Sequence, residues 1–284
     1  MGELERLQVE SSDGVLLDVE LSGGDGSPLV LLHGLTATRR YVVMGSTALQ
    51  DAGHRVIAYD ARGHGRSGAA AGPDEYGYKR LRDDLLAVLD RLQVERALLA
   101  GASMGAHTAL ALALSHPERV SALGLITPAY TPDGAGGGPD GGDGWRALAE
   151  GLRAGGIEGF VAAYDFSAIP DTWRATVERV IRQRLGQHLH LEAVADALEG
   201  VPRTRPFERM EELAALRAPV LVVASRDEAD PGHPLAVGER YREAIPGAGL
   251  LVEPAPPPLR SPIAWQGGRL SEALIELAAR TAGA

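Results

Sequence analysis

One serine in this 284-residue chain stands where its neighbours could make it reactive: Gly101-Ala102-Ser103-Met104-Gly105. The pentapeptide matches G-x-S-x-G. It follows an apolar run at residues 97–100 and opens a stretch of helical spacing from about Met104 to Ser115. In a chain with 36 glycines the five residues alone carry little weight. The strand before them and the helix after them carry the reading. A serine on such a turn holds its hydroxyl up at the carboxyl edge of a sheet, where the helix N-terminus favours developing negative charge. A second segment, His33-Gly34-Leu35, follows the apolar run at residues 29–32. His33 there reads as a loop-ordering group rather than a general base.

These two segments need a sheet to hold them. Residues 4–9 and 15–21 read as strands with Asp13-Gly14 as a hairpin signal between them. Short apolar runs at 29–32, 55–59, 97–100 and 120–126 read as buried parallel strands. Between them, Leu81, Leu85, Val88 and Leu92 recur on one helical face. Alternation of this kind implies a parallel sheet covered on both sides. A Gly-, Pro- and Asp-rich loop at 131–144 then breaks the pattern. Helical segments follow at about 145–154, 157–164, 172–185, 191–198 and 207–216. Strands return at 219–224 and 250–252, with helices at 235–244 and 270–279. The helical block therefore interrupts the sheet between its sixth and seventh strands.

The runs Leu31-Leu32-His33-Gly34, Asp60-Ala61-Arg62-Gly63-His64-Gly65-Arg66-Ser67 and Gly101-Ala102-Ser103-Met104-Gly105 occur in this order and spacing. Together they resemble the α/β-hydrolase superfamily, over the sheet and not over the helical block. The resemblance implies an α/β fold with a mostly parallel eight-stranded sheet. Its core would be residues 1–129 and 210–284, with a helical lid at 130–209. It also implies an oxyanion hole from the backbone N–H groups of Leu35 and Met104, with Ser103 as nucleophile. The segment from Asp60 to Ser67 reads as structural, its glycines turning the chain and its charges tying the loop.

The resemblance places an acid just after the strand at 219–224, within Ser225-Arg226-Asp227-Glu228-Ala229-Asp230-Pro231-Gly232-His233-Pro234. Counting forward from the strand favours Asp227. Counting back from the helix at 235–244 favours Asp230, and the long helix register decides for Asp230. The histidine of the family should follow residues 250–252, but the segment from Glu253 to Pro262 contains none. Arg260-Ser261-Pro262 stands at the family's His-Ser-Pro-like position, and an arginine stays charged and cannot serve as base. The triad thus reads as incomplete. The candidates to replace its histidine are His233, three residues beyond Asp230, and His107, four beyond Ser103. His188 and His190 lie in the helical block, and two residues apart they do not share a helical face for a metal.

Composition excludes other classes. With 28 Lys and Arg against 38 Asp and Glu, the net charge is −10, which opposes nucleic-acid and anionic-membrane binding. Arg39-Arg40 and Arg203/Arg205 read as solvated loop charges. There is no cysteine, hence no disulfide, thiolate metal site or cysteine nucleophile. That fits a cytoplasmic protein. No apolar run suits a signal peptide or a membrane span. No cofactor and no metal are expected. A small-molecule substrate is, on a monomer or homodimer. The activity expected is on a small organic ester, thioester or lactone. The alternatives are a non-hydrolytic elimination, cyclisation or acyl transfer, or a degenerate ligand-binding protein on the same scaffold. Trp145, Phe160, Tyr164, Phe166 and Trp173 gather aromatics in the helical block, either as pocket lining or as its own core.

Overall fold

The structure, a computed structural model, describes residues 4–134, 143–252 and 266–280. Eight strands form one sheet: β1 (Glu5–Glu10), β2 (Leu16–Gly23), β3 (Pro28–Leu32), β4 (Arg55–Tyr59), β5 (Ala97–Ala102), β6 (Val120–Ile126), β7 (Val220–Ala224) and β8 (Gly249–Val252). Their order is β1-β2-β4-β3-β5-β6-β7-β8. The β1/β2 and β2/β4 pairs are antiparallel, and every pair from β4 to β8 is parallel. This is the mostly parallel sheet the sequence pattern implies.

The central strands are apolar on both faces because helices cover both. On one side lie α2 (Tyr78–Arg91), α3 (Met104–Ser115) and α7 (Leu235–Ala244), with α1 (Ala48–Asp51) and α8 (Gly267–Ala279) on the other. Leu81, Leu85, Val88 and Leu89 make the buried stripe of α2. No helix among the described residues is long and apolar enough to cross a membrane.

Between β6 and β7 the chain forms α4 (Asp143–Ala163), α5 (Asp171–Leu185) and α6 (Leu191–Gly200). The two helices expected at 145–154 and 157–164 are the halves of α4, broken at Gly155 and at Gly156 with φ 58°. They fold back so tightly that a Cβ on Gly159 would sit 2.0 Å from the Gly151 carbonyl oxygen. The helix expected at 207–216 is only a 3₁₀ turn, Met210–Ala215. Extended backbone at Arg209 and Leu216 bounds it, and six residues are too few to sustain an α-helix. The aromatics of the insertion serve its own core. Phe160 and Phe166 are buried with Ile181, Leu185 and Leu198, and Trp145, Tyr164 and Trp173 pack around them. The same cluster takes in Leu35 and Ala229, so the insertion rests on the loops after β3 and β7.

Arg39 corrects one sequence expectation. It is buried, not solvated, and its guanidinium pairs with Asp18, Glu20 and Asp60. The long loop after β4 is tied as its charges suggest: Asp60 accepts the Arg39 and Arg66 amides at 3.0 Å each. Arg62 forks onto Asp84 at 2.6 and 2.7 Å. Gly65 has φ 52°, and a Cβ there would lie 2.1 Å from the Asp60 carboxylate.

Candidate active site

Ser103 lies between β5 and α3 at φ 50° and ψ −112°, a region that disfavours a residue with a Cβ. Its neighbours explain why the chain tolerates this. A Cβ on Gly101 would meet the Gly105 carbonyl at 2.2 Å, and one on Gly105 would meet the Leu32 carbonyl oxygen at 2.2 Å. Both glycines are therefore demanded by packing: α3 starts directly against β5 and β3. The Ser103 amide donates to the Ile126 carbonyl at 2.9 Å, fixing the turn to the end of β6.

The loop after β3 approaches the same turn. A Cβ on Gly34 would lie 3.5 Å from the Ser103 Cβ. Among the described residues, neither the Leu35 nor the Met104 N–H has a backbone hydrogen-bond partner. His33 orders this loop, donating from Nδ1 to the Gly34 carbonyl (2.8 Å) and accepting the Ala61 N–H at Nε2 (2.9 Å). Both ring nitrogens are used in the neutral form, and burial lowers the ring's pKa further.

After β7 the chain makes consecutive tight turns. The Asp230 amide bonds the Asp227 carbonyl, and the His233 amide bonds the Asp230 carbonyl at 3.2 Å. Asp230-Pro231-Gly232-His233 is thus one turn, with proline at its second position and no residue at positive φ. A turn of this shape brings the side chains of its first and fourth residues to one side. His233 Nδ1 donates to the Asp230 carboxylate, 2.8 Å from Oδ1 and 2.9 Å from Oδ2. His233 Nε2 lies 2.9 Å from Ser103 Oγ and can accept its hydroxyl proton. About a quarter of each side chain stays open to solvent (24% for His233, 28% for Asp230).

Burial opposes both charges of this pair, yet each charge rescues the other. For Asp230 the desolvation is outweighed by the charge and hydrogen bond of His233, with help from Arg184, so its pKa falls below the usual carboxylate value. For His233 burial pulls down, and the charge and hydrogen bond of Asp230 pull up further, so its pKa lies above 6.5. Asp227 does something else: its Oδ1 accepts the Ala229 N–H at 2.9 Å and closes the preceding turn.

His107 and His188 have both ring nitrogens occupied elsewhere. His107 does not meet Ser103 through its ring. Its Nδ1 pairs with the Tyr78 hydroxyl at 3.1 Å, and its Nε2 accepts the Ala129 and Tyr130 amides at 3.2 Å each. Burial and the His233 charge bring it down to about 3, so it stays neutral. These contacts pin the chain leaving β6 and turn the His107 ring nitrogens away from Ser103. His188 accepts the Gly65 N–H at Nδ1 (2.7 Å) and donates from Nε2 to the Thr36 carbonyl (2.9 Å). Arg260, standing at the family's histidine position, lies outside the described residues. A cleft of about 520 Å³ between Asp13, Leu16, Ala70, Glu75 and Arg80 includes none of Ser103, Asp230 and His233.

Sequence reasoning missed Arg184, whose Nη2 donates to the Leu35 carbonyl at 3.1 Å and to the Thr36 hydroxyl. The signal was its spacing: it stands three residues after Ile181 and seven after Val177, on the buried stripe of α5.

Sheet order, strained serine turn and helical insertion define a class, and the comparisons agree with it. The family described as the alpha/beta hydrolase fold matches residues 27–256, and this chain belongs to that family. It is 33% identical to a 2-hydroxy-6-oxononadienedioate/2-hydroxy-6-oxononatrienedioate hydrolase of Burkholderia vietnamiensis over 84% of each chain. It is 25% identical to 3-oxoadipate enol-lactonase 1 of Acinetobacter baylyi, over 86% of this chain and 87% of that one. Among solved structures, a thermophilic esterase from Thermogutta terrifontis, studied with malate bound, aligns with a TM-score of 0.77 at 26% identity. That alignment covers 98% of this chain and 99% of the esterase.

Proposed function

We propose that this protein hydrolyses small organic esters, thioesters or lactones through a complete triad whose histidine has moved. Ser103 is the nucleophile, His233 the general base, and Asp230 the group that orients His233 and stabilises its charged form. The observation carrying this reading is the unbroken chain of contacts, 2.9 Å from Ser103 Oγ to His233 Nε2 and 2.8 Å from His233 Nδ1 to Asp230. His233 takes the serine proton as Oγ attacks the carbonyl carbon. The N–H groups of Leu35 and Met104 receive the oxyanion. His233 then returns the proton to the leaving oxygen or sulfur, and water repeats the cycle on the acyl-enzyme. The helices at 143–200 act as a lid, and residues 130–209 form the lid segment over a core of 1–129 and 210–284. The lactonase and esterase among the relatives support the substrate class.

The test is p-nitrophenyl acetate turnover together with fluorophosphonate labelling. The natural protein should hydrolyse the ester and take the label, and Ser103→Ala should do neither. Turnover that survives Ser103→Ala sinks the proposal. Absence of turnover and of label in the natural protein favours the ligand-binding alternative, and label without turnover favours a non-hydrolytic reaction.

A further inference from the structure

We infer that Arg184, on the insertion's helix α5, is a positioning residue that holds the oxyanion loop in its working shape by securing Thr36. The inference rests on the hydrolase reading above. Thr36 has φ 65°, in the left-handed region that costs a β-branched residue the most. The Ala37 amide bonds the Gly34 carbonyl at 3.1 Å, so Gly34-Leu35-Thr36-Ala37 is a turn. With φ positive at its third residue and not at its second, its signs are those of type II. That third position ordinarily takes glycine, and here it carries a threonine. Something outside the turn must keep the peptide between Leu35 and Thr36 from turning over.

That something is the end of α5 and the residues just after it. Arg184 Nη2 donates to the Leu35 carbonyl at 3.1 Å and to the Thr36 hydroxyl, while His188 Nε2 donates to the Thr36 carbonyl at 2.9 Å. Three acceptors on two adjacent residues are thus bound by one helix end. The next group along the backbone, the Leu35 N–H, is the donor assigned to the oxyanion. Arg184 is a costly anchor: its Nε is buried without a hydrogen-bond partner, and no carboxylate lies within ion-pairing distance of it among the described residues. A guanidinium kept there only to fill space would be better replaced by an apolar side chain. Besides its pull on the Asp230 charge, its two directed hydrogen bonds to the strained turn are what an apolar side chain could not supply.

The test compares kcat and KM on p-nitrophenyl acetate for the natural protein, Arg184→Gln, Thr36→Gly and the double variant. Arg184→Gln should lower kcat by about 10- to 100-fold with KM little changed, as loss of oxyanion geometry does. Glycine adopts positive φ without strain, so Thr36→Gly in the Arg184→Gln background should recover about 5-fold or more of the lost kcat. Should Arg184→Gln not fold, Arg184→Lys and Thr36→Val, which removes only the hydroxyl acceptor, give the same kcat-selective loss in milder form. Unchanged kcat in Arg184→Gln, or a double variant no faster than the single, overturns the inference. A loss confined to KM, or seen only with carboxylate-bearing esters, also overturns it and makes Arg184 a substrate-binding group. Ser103→Ala retaining the natural rate would remove the hydrolase reading itself. Ser103-dependent turnover insensitive to Arg184 removes the inference alone.

Discussion

His233 reaches Ser103 across 130 positions of sequence at 2.9 Å, while it holds Asp230 only three positions away. The proposed base and acid therefore share one four-residue turn, and their mutual geometry is a local property. Only the distance from that turn to Ser103 depends on the sheet, through β5 and β7 with β6 between them. The usual arrangement for such a triad asks three separate loops to converge. Here two suffice.

The first prediction concerns the relocated base. General-base assistance is worth about 10²–10⁴ in rate, so His233→Ala should lower kcat on p-nitrophenyl acetate by a factor in that range. Because the groups act as a unit, Ser103→Ala combined with His233→Ala should be no slower than Ser103→Ala alone. His107→Ala should leave the rate within a few-fold if the protein folds, since its ring serves Tyr78 and two amides. A collapse of kcat in His107→Ala with a normal melting temperature would contradict this assignment.

The second is a pH profile. As the proposed base, His233 works only when neutral, and the nearby Asp230 charge more than offsets burial, raising its pKa above 6.5. Activity should therefore rise with pH through a midpoint above 6.5 and be lost as pH falls through it. Asp230→Asn removes the raising charge, so its residual activity should show an acid limb at lower pH. kcat/KM measured between pH 5 and 9 for both proteins reads this directly. A limb that stays in place in Asp230→Asn would mean another group titrates.

Acid stability provides a third. Four buried histidines have lowered pKa values, all chiefly through burial: His33, His64, His107 down to about 3 and His188 down to about 4. Each takes up its proton more readily when the chain unfolds. Stability should be full above about pH 6.5 for these groups and fall below it, by up to about 1.4 kcal/mol per pH unit for each histidine. His233 has the opposite sign, weakening the fold only above 6.5, so it does not mask the effect. Melting temperatures from pH 7.5 to 4.5 should drop steeply, and less steeply in His107→Gln. A flat curve would count against neutral, buried rings.

The fourth prediction separates packing from sequence motif. Gly105→Ala places a Cβ 2.2 Å from the Leu32 carbonyl oxygen, backbone that cannot step aside, and should cost about 2–4 kcal/mol. Gly72→Ala meets nothing within 4 Å and should change stability by less than about 0.5 kcal/mol. Urea unfolding midpoints compare the two. Near-equal effects would show that the helix can retreat from β3.

Much of the site is legible in the residues because its determinants are local. Strand, small residue, serine, small residue and helix follow one another, and only that order makes the strained turn at Ser103. The proposal of Asp230 as the acid rests on counting back along the helix behind it. Asp230-Pro231-Gly232-His233 is readable as a turn, since proline at its second position favours the shape that sets its ends side by side. The choice between His233 and His107 was not local. His107 is only four residues from Ser103, but its ring points to Tyr78 and the chain leaving β6, contacts made by residues 29 positions before it and 22 and 23 after it. The meeting of Arg184 with Thr36 is not local either: they lie 148 positions apart and meet only when the insertion folds over the loop after β3. Sequence by itself determined which side chains have the chemistry and the local shape to present it. Tertiary packing alone decided which histidine faces the serine, because hydrogen-bond partners distant in the chain are set by strand order and not by spacing.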